Sequence, residues 1–474
     1  MKKIFNILTV ALLALFFISG CTPKEQKLYV LSLNDQHANI DNYPQFAALV
    51  DSLRTVHPDL LLFSAGDNRS GNPINDRYSD IARPMVELMN KVGFNLSCLG
   101  NHEWDAGVIG LRNVTGWANY PYVCANVTFD DTLNMTVKPF EIIEWNDLKL
   151  GVIGAIQLGM NGLPDFHPKN VGGSHFRPAN EVIPEYLYLK DECDALFLLS
   201  HCGYEDDREL AEQFPQFDAI FGGHTHTRVS ETQIVNGVMI TQAESKVKFV
   251  TLSTFTFKNG KIVDKQEELL SVRDFPHRNA EVQAMVDNYN NNEYFSTVKG
   301  NNLTPIGNYE SLGCLMTDAI RYTLDADFGF QNPGGVRYDT LSARPVTMKD
   351  LLALDPFDNE IVQFNLTGEE IIRLMKSCYV TDGGPIYCSG CTYSYSEDEN
   401  GEMTDIEVVL ENGQPLDMTA TYNVVMNSYM STVFDYEHQD EGRSTFRTSN
   451  ELMLEYLSQH PDIDYGNTSR VTEK

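Results

Sequence analysis

The chain has 474 residues, which is long for one hydrophobic core and suggests two or three domains. Hydrophobic residues make up 42% of it, enough for a sizeable core, so a disordered chain is excluded. Its 35 Lys and Arg against 66 Asp and Glu give a net charge of −31, which argues against a protein that binds a nucleic-acid polymer. The same charge repels small anions, so a site for an anionic substrate would need local cations, and metal ions are an early expectation.

The first residues have the pattern of an export signal. A basic start is followed by a largely apolar stretch, Ile4 to Ile18, that is short for a membrane span. The stretch ends in Ile-Ser-Gly-Cys21, which resembles a bacterial lipobox, in which the Cys is lipidated and becomes the mature N-terminus. Plain secretion and an uncleaved anchor are the alternatives.

The lipobox reading predicts a signal peptide over residues 1–20 and a lipidated N-terminus with a tether over 21–27. It places the protein in the cell envelope, where disulfides are permitted, and attaches it to a membrane through Cys21. Thr rather than Asp follows the Cys, as in lipoproteins of the outer membrane. We therefore expect an outer-membrane anchor that faces the periplasm or the cell surface.

From about residue 28 to 275, short apolar runs alternate with amphipathic stretches. The alternation predicts an α/β domain in which helices cover the sheets. The predicted strands are Leu28–Leu33, Leu60–Ser64, Leu96–Leu99, Leu148–Ile156, Ala195–Leu199 and Ala219–Phe221. Two helices, at Phe46–Val56 and Ile81–Val92, lie between them, and the turn Asn259-Gly260 indicates an added antiparallel portion.

The second half of the chain reads as a separate unit. Residues 276–300 are polar and are predicted to form a linker helix that leads to a domain over 301–474. The predicted helices of that domain are Leu312–Leu324, Glu369–Met375 and Glu451–Gln459, and its predicted strands are Ile361–Leu366 and Tyr422–Met426.

Nine cysteines are present, including Cys21. Cys388 and Cys391 form a lone CxxC without a second pair nearby, whereas a structural zinc site needs four ligands. We read the remaining cysteines as buried thiols with at most one local disulfide, and a zinc or redox role for the CxxC is the alternative.

Metal-ligand residue types cluster directly after several predicted strands, where sites collect in open α/β sheets. The clusters contain Asp35, His37, Asp67, Asn101, His102, Asp105, His201, His224 and His226. Each motif alone is more typical of a surface pair or a structural histidine, but their repeated occurrence at strand ends indicates one shared site. A mixed set of oxygen and nitrogen ligands suits Zn, Mn, Fe or Co better than Ca or Mg.

These motifs resemble the signature of the calcineurin-like metallophosphoesterases. The wording Asn34-Asp35-x-His37 and the run from Gly100 to Asp105 is most similar to the 5′-nucleotidase / UDP-sugar hydrolase family. Segments 331–337, 355–359 and 427–429 also resemble that family's C-terminal motifs. The resemblance implies a four-layer α/β/β/α metallophosphoesterase domain followed by a smaller α/β domain that determines substrate specificity.

The resemblance also implies roles for the clustered residues at a pair of divalent metal ions. Asp35, His37 and His226 would hold the first ion, Asn101, His201 and His224 the second, and Asp67 would bridge them. Two such ions can clamp a phosphate and generate a hydroxide that attacks phosphorus in line. His102, oriented by Asp105, would stabilise charge on the phosphoryl group or on the leaving oxygen.

In the second domain the resemblance implies a substrate pocket. The residues implied are Asn332, Gly334, Gly335, Arg337, Phe357, Asn359 and Tyr429. Arg337 would contact phosphate or ribose, and Phe357 and Tyr429 could sandwich a base, since aromatic stacking contributes about 1–3 kcal/mol per base. Core packing is the alternative reading of both rings.

The pocket departs from the family pattern at several positions. No Gly-Gly-Asp-Gly run follows Tyr429, Pro333 replaces a glycine, and Gly307–Glu310 lacks the phosphate-binding Arg that the family often has there. Hydrolysis of a phosphate ester is therefore better supported than the identity of the leaving group.

The sequence thus predicts a lipid-anchored, two-metal phosphohydrolase of nucleoside 5′-monophosphates. A 2′,3′-cyclic nucleotide, a nucleotide sugar or another ester is the alternative substrate. A binding lipoprotein without catalytic activity is the remote alternative, because such a protein would be expected to have lost metal ligands. The oligomeric state does not follow from the sequence.

Overall fold

The computed structural model describes residues 25–399 and 401–474. The predicted signal peptide and Cys21 lie outside this range. The strands of the N-terminal part are β1 Glu25–Leu33, β2 Leu61–Ser64, β3 Leu96–Cys98, β4 Tyr122–Val123, β5 Val127–Phe129, β6 Phe140–Trp145, β7 Leu148–Ile156, β8 Ser174–Phe176, β9 Ala195–His201, β10 Ala219–Phe221, β11 Gln233–Val235, β12 Val238–Thr241, β13 Phe249–Lys258 and β14 Lys261–Ser271.

Strands β5 and β8 form a separate antiparallel pair, and the other twelve strands form two sheets that face each other. One has the order β14-β13-β1-β2-β3-β4 and the other β11-β12-β10-β9-β7-β6. Strands β1, β2 and β3 run parallel in the first sheet, as do β7, β9 and β10 in the second. Val30 and Phe63 from one sheet pack against Phe197 and Phe221 from the other, so a buried apolar layer joins them.

Helices cover the outer face of each sheet. They are α1 Tyr43–Val56, α2 Pro73–Asp76, α3 Arg83–Val92, α4 Gly107–Trp117, α5 Ala179–Val182, α6 Leu189–Glu192 and α7 Tyr204–Gln213. Phe46 of α1 and Met89 of α3 belong to a core with Leu31 and Leu62 of the first sheet, and Leu210 of α7 packs with the second. The predicted fold class, four layers in the order α/β/β/α, is confirmed.

Strand β1 begins earlier than the sequence predicts. Residues 25–27, which we assigned to the tether, are paired with β13 in the register Glu25↔Lys258 and Gln26↔Phe257. The backbone hydrogen bonds of this ladder extend the strand beyond its apolar part, so the predicted tether is too long at its C-terminal end.

The predicted linker helix over 276–300 is also corrected. Helix α8, Ala280–Asn290, is followed by a short helix α9, Glu293–Ser296, and strand β15 already begins at Val298. Val282, Val286 and Tyr289 are buried in the core of the N-terminal part. Their i, i+4, i+7 spacing forms an apolar face within a polar segment, so the helix belongs to a core instead of spanning solvent.

The C-terminal part is a second α/β unit. Its strands are β15 Val298–Asn302, β16 Phe328–Gln331, β17 Arg344–Thr347, β18 Glu360–Thr367, β19 Tyr387–Ser389, β20 Cys391–Glu397, β21 Met403–Leu410, β22 Thr421–Asn427, β23 Arg443–Thr448, β24 Asp462–Ile463 and β25 Val471–Glu473. Its helices are α10 Tyr309–Leu324, α11 Met348–Leu354, α12 Gly368–Asp382, α13 Ser428–Val433 and α14 Ser449–Gln459. The main sheet has the order β19-β16-β22-β18-β23.

Within 25–399 and 401–474, no helix combines the length and apolar character needed to cross a bilayer.

The cysteines of the described residues are free thiols, and most are buried. The groups of His, Cys, Asp and Glu whose ligand atoms converge within this part of the chain contain no cysteine. Burial raises the pKa of Cys202 and of Cys378 well above the usual thiol value. A packing role for these residues agrees with this environment, because an inert thiol is one that is hard to ionise.

Candidate metal centre

The first two strand ends are tied together by their backbones. Asp35 and His37 follow β1 in left-handed conformations, with φ of 47° and 46°. The backbone N–H of Asp35 donates to Gly66 O at 3.1 Å, and that of His37 donates to Asp67 O at 3.0 Å. Because β1 and β2 are parallel, their carboxyl ends lie at one edge, and the two segments present buried polar side chains there.

Asp67 lies at the middle of the site. Its Oδ1 accepts a hydrogen bond from the backbone N–H of His102 at 2.8 Å. Its Oδ2 lies 3.2 Å from Nε2 of His201 and 3.8 Å from Nε2 of His102. Gly100 packs directly against this carboxylate, and a side chain at that position would collide with it. Asp67 thus has one oxygen fixed by the protein and the other directed toward the imidazoles.

Two of the histidines are oriented by backbone carbonyl oxygens. Nδ1 of His201 lies 2.6 Å from Ala65 O, and Nδ1 of His37 lies 3.0 Å from Ser70 O, so both rings can donate from Nδ1 and leave Nε2 for a ligand. Nε2 of His37 and Nε2 of His226 are only 2.9 Å apart. Nε2 of His226 lies 3.3 Å from Oδ1 of Asp35.

Asn101 completes the other side of the site. Its Oδ1 is 3.2 Å from Nε2 of His201 and 3.2 Å from Nδ1 of His224. Its amide nitrogen donates to Asp165 O at 2.9 Å, which orients the carbonyl oxygen toward the histidines. The structure therefore brings every predicted metal-ligand residue to one place.

The donor set fits divalent cations. Donor atoms of Asp35, His37 and His226 all lie within 4.8 Å of one another, as do those of Asp35, Asp67 and His201. Oδ1 of Asp35 is buried and has no hydrogen-bond donor within the described chain. Two buried carboxylates that face several imidazole nitrogens form a close set of oxygen and nitrogen ligand atoms, and divalent cations satisfy such a set.

Burial and the charges of neighbouring residues shift the pKa values of these groups. Burial alone would raise the pKa of Asp67, but the charges of His201 and His102 outweigh it and hold that pKa well below its usual value. Burial would lower the pKa of His201, yet Asp67 and Asp35 raise it to about 10. Burial and the charge of Arg337 lower the pKa of His37 well below the usual imidazole value. The carboxylates thus attract positive charge into the site.

His102 and Asp105 form the predicted pair. Nδ1 of His102 lies 2.8 Å from Oδ2 of Asp105, and Nε2 faces the site. Burial lowers the pKa of His102, but Asp67 and Asp105 outweigh it, so that the pKa is raised. The imidazole is consequently held in one orientation and binds a proton more tightly than an ordinary imidazole does.

Glu103 is a residue of this site to which the sequence analysis gave no role. It is fully buried, and its carboxylate accepts hydrogen bonds from the backbone N–H groups of Gly100 at 2.6 Å, Asn68 at 2.9 Å and Asp67 at 3.1 Å. Burial and the charge of Asp67 raise its pKa to about 7. Glu103 therefore fixes the loop that carries Asp67. Its place directly after Asn101 and His102 in the Gly-Asn-His-Glu motif was the available signal.

Residues of the C-terminal part reach the same centre. Nη2 of Arg337 is 3.1 Å from Nε2 of His37 and 3.2 Å from Nε2 of His102. The ring of Phe357 stacks on that of His102 with centroids 5.6 Å apart and an interplanar angle of 18°. The site is therefore built from both halves of the chain.

A cavity of about 640 Å³ opens beside the metal-ligand residues. The predicted substrate residues Asn332, Gly334, Gly335, Arg337, Phe357, Asn359 and Tyr429 all line it. Asp382, which the sequence analysis did not identify, also lines it and accepts hydrogen bonds from the backbone N–H of Gly334 at 2.6 Å and from Nδ2 of Asn332 at 3.0 Å.

The fold and the site together define a calcineurin-like phosphoesterase. The family model for calcineurin-like phosphoesterases matches residues 28–228, and the model for the 5′-nucleotidase C-terminal domain matches residues 288–436. Protein UshA of Salmonella pullorum is 25% identical, with 98% of each chain covered. A 5′-nucleotidase of Vibrio cholerae is 24% identical, with 97% of this chain and 96% of that protein covered.

Among solved structures, a 5′-nucleotidase precursor from Thermus thermophilus matches with a TM-score of 0.84 at 22% identity, covering 94% of this chain and 99% of that one. The chain belongs to the 5′-nucleotidase family of calcineurin-like phosphoesterases and is a metal-dependent phosphoric ester hydrolase.

Proposed function

We propose that the protein releases phosphate from nucleoside 5′-monophosphates with the aid of two divalent metal ions. The observation that supports this most strongly is the convergence of the metal-ligand residues with Arg337 and Phe357, which join a phosphate-binding centre to an aromatic surface. The names of the relatives agree with this substrate class.

In this proposal each ion has its own group of ligands, and one further ligand is shared. We assign Asp35, His37 and His226 to the first ion, Asn101, His201 and His224 to the second, and Asp67 to both. When bound, ions such as Zn, Mn, Fe or Co would polarise the phosphate oxygens and make a water molecule acidic enough to act near neutral pH. The mixture of imidazole and oxygen donors supports this choice of metals over Ca and Mg.

The chain's own residues position and neutralise the phosphoryl group. Nε2 of His102 faces the site while Asp105 holds Nδ1, so the ring can stabilise charge that develops at phosphorus or on the leaving oxygen. The guanidinium of Arg337 lies beside His102 and can donate to phosphate oxygens in the planar arrangement that suits them. No covalent nucleophile of the protein is required.

We assign the nucleoside subsite to the cavity walls around Phe357 and Tyr429. Both rings line the cavity, and Tyr429 also packs edge-to-face with Phe434, at a centroid distance of 6.2 Å. Asn332 and Gly334 are held by Asp382, which fixes the backbone that borders this subsite.

Substrate choice is tested with a panel of esters. Purified protein supplied with Mn or Zn should hydrolyse a generic aryl phosphate and should prefer 5′-AMP to 2′,3′-cyclic AMP and UDP-glucose in kcat/KM. Efficient turnover of one of the other esters with negligible turnover of 5′-AMP would reject the proposed substrate while retaining the metal chemistry. Inactivity toward the whole panel, with metals bound, would favour a binding protein.

Phe357→Ala should raise KM for 5′-AMP by about 10-fold or more, because stacking on a base contributes about 1–3 kcal/mol. KM for a small aryl phosphate should change less, since that substrate has no nucleobase to stack on the ring. The matched control is Phe446→Ala, whose ring is 89% exposed. Equal losses on both substrates would assign Phe357 a packing role.

We further propose that Cys21 is lipidated and anchors the protein to the outer membrane. The Ile-Ser-Gly-Cys sequence after a short apolar stretch supports this. In the native host, Cys21→Ala should abolish incorporation of radiolabelled fatty acid and shift the protein from the membrane to the soluble fraction. Cys193→Ala is the control. A Cys21→Ala protein that stays in the membrane would argue for an uncleaved anchor.

A further inference from the structure

Arg69 is a buried cation in the wall of the cavity. Arg69 is only 4% exposed and follows Asp67 by two positions. It lines the same cavity as His102. Nε and Nη1 of its guanidinium are buried and have no hydrogen-bond partner within residues 25–399 and 401–474. A buried guanidinium whose donors are unused is costly, so the position calls for an acceptor that the chain itself does not provide.

The carboxylates around Arg69 are already engaged by other donors. Asp76 accepts hydrogen bonds from the backbone N–H groups of Ser70 at 3.2 Å, Gly71 at 2.8 Å and Asn72 at 3.0 Å. Asp105 is paired with Nδ1 of His102 at 2.8 Å. Both carboxylates interact electrostatically with Arg69, but neither accepts a hydrogen bond from its Nε or Nη1, so its charge is balanced while these donors stay unused.

A glycine borders the guanidinium of Arg69, and the cavity lining contains a second cationic residue. A Cβ built on Gly110 of α4 would lie 3.6 Å from Nη1 of Arg69, so this glycine borders the guanidinium. Lys169, which is exposed, lines the same cavity. In a chain with a net charge of −31, cations at the wall of a cavity create a local attraction for anions that the overall charge opposes.

We propose that Arg69 and Lys169 form a second anion subsite, which binds a phosphate group other than the one that is hydrolysed. The planar guanidinium can donate two parallel hydrogen bonds to such a group. The phosphate comes either from a substrate that carries a second phosphate, such as a nucleoside diphosphate, or from free inorganic phosphate. This inference rests on the proposed function, since it places the reacting phosphate at the metal centre.

The first arm of the test compares one and two phosphate groups in metal-loaded protein. The ratio of kcat/KM for ADP to that for 5′-AMP should fall by about 10-fold in Arg69→Gln, because hydrogen bonds to a charged group are lost. By calorimetry, the preference for methylenediphosphonate over methylphosphonate should fall by a similar factor. Arg112→Gln removes the same charge from a half-buried position of α4 outside the cavity lining and should change neither ratio.

The second arm identifies free phosphate as the ligand. If that is the source, calorimetry should find two inorganic phosphate ions per wild-type chain and one per Arg69→Gln chain, with the ADP to 5′-AMP ratio unchanged. The subsite is rejected if Arg69→Gln keeps both the wild-type ratios and the wild-type phosphate stoichiometry. Should Arg69→Gln fail to fold, Arg69→Lys is measured instead. It keeps the charge but loses the planar fork, and wild-type ratios and stoichiometry would then reject the subsite.

These measurements separate the subsite from the proposed function. If the wild-type protein hydrolyses no nucleotide, the proposed function fails, yet the calorimetric comparison of methylphosphonate, methylenediphosphonate and phosphate still decides whether Arg69 binds a second anion. Metal content is measured for every variant, because a loss of metal in Arg69→Gln with no change in the ratios would assign the residue to the stability of the Asp67 loop and reject the subsite.

Discussion

Asp67→Ala is expected to abolish the binding of two metal ions and to lower hydrolysis of an aryl phosphate by about 1,000-fold or more. The carboxylate lies between the donor groups, with Oδ2 3.2 Å from Nε2 of His201 and Oδ1 held by the backbone N–H of His102. The metals supply several kcal/mol of charge stabilisation, and each 1.4 kcal/mol changes the rate about ten-fold.

The measurement is metal content per chain by elemental analysis, followed by kcat/KM on the same samples. Asp191→Ala, which removes an exposed carboxylate from α6, is the matched control and should retain both properties. Circular dichroism shows whether the variant is folded. A folded Asp67→Ala protein that still holds two metal ions would refute the bridging role and, with it, the assignment of Asp67 to both ions.

The sheets and the convergence of the proposed metal ligands were predictable because both leave local signals. Strands β7 and β9 are continuous apolar runs, as strands buried on both faces must be, and they were placed within two residues of their observed ends. His201 is the last residue of β9, and Asp35 follows β1 by two positions. A short polar burst after an apolar run is visible in the sequence, and the parallel sheet brings such bursts together.

Contacts between distant segments could not be predicted in this way. The role of Glu103 depends on backbone N–H groups of Asp67 and Asn68, about 35 residues earlier, which nothing in its own segment reveals. Asp382 likewise reaches Asn332 and Gly334 across the C-terminal part. The packing of α8 was missed because its apolar face has few members in a mostly polar segment.

The substrate pocket lies between these two cases. Its position was indicated by Arg337 and Phe357, which contact the metal-ligand region from the second domain. The hydrogen bonds within the pocket were not indicated by the sequence. Asn332 is engaged by Asp382 and by Asn427, whose Nδ2 donates to Asn332 Oδ1 at 3.0 Å. A side chain that is held by two partners orients backbone more readily than it contacts a ligand.

His102→Gln is expected to lower kcat by about 100- to 10,000-fold while two metal ions remain bound, because a positioned proton donor or charge stabiliser contributes about that much. Asp105→Asn should cost about 10- to 100-fold, since it acts by orienting the ring at 2.8 Å. The matched control is His175→Gln, which breaks an exposed His–Asp pair of similar length, 2.9 Å to Asp130. Loss of metal from His102→Gln would instead make the residue a ligand.

The dependence on the leaving group tells what the imidazole does. If His102 protonates the leaving oxygen, His102→Gln should reduce hydrolysis of 5′-AMP, whose alkoxide leaves poorly, far more than that of p-nitrophenyl phosphate, whose phenolate needs no proton. If it stabilises the phosphoryl oxygens, both substrates should lose the same factor. The ring is stacked on Phe357 and lies 3.2 Å from Arg337, so a second cation would be available to the phosphoryl oxygens. We therefore expect His102→Gln to reduce hydrolysis of 5′-AMP more than hydrolysis of p-nitrophenyl phosphate. Equal losses on the two substrates would mean that His102 stabilises the phosphoryl oxygens.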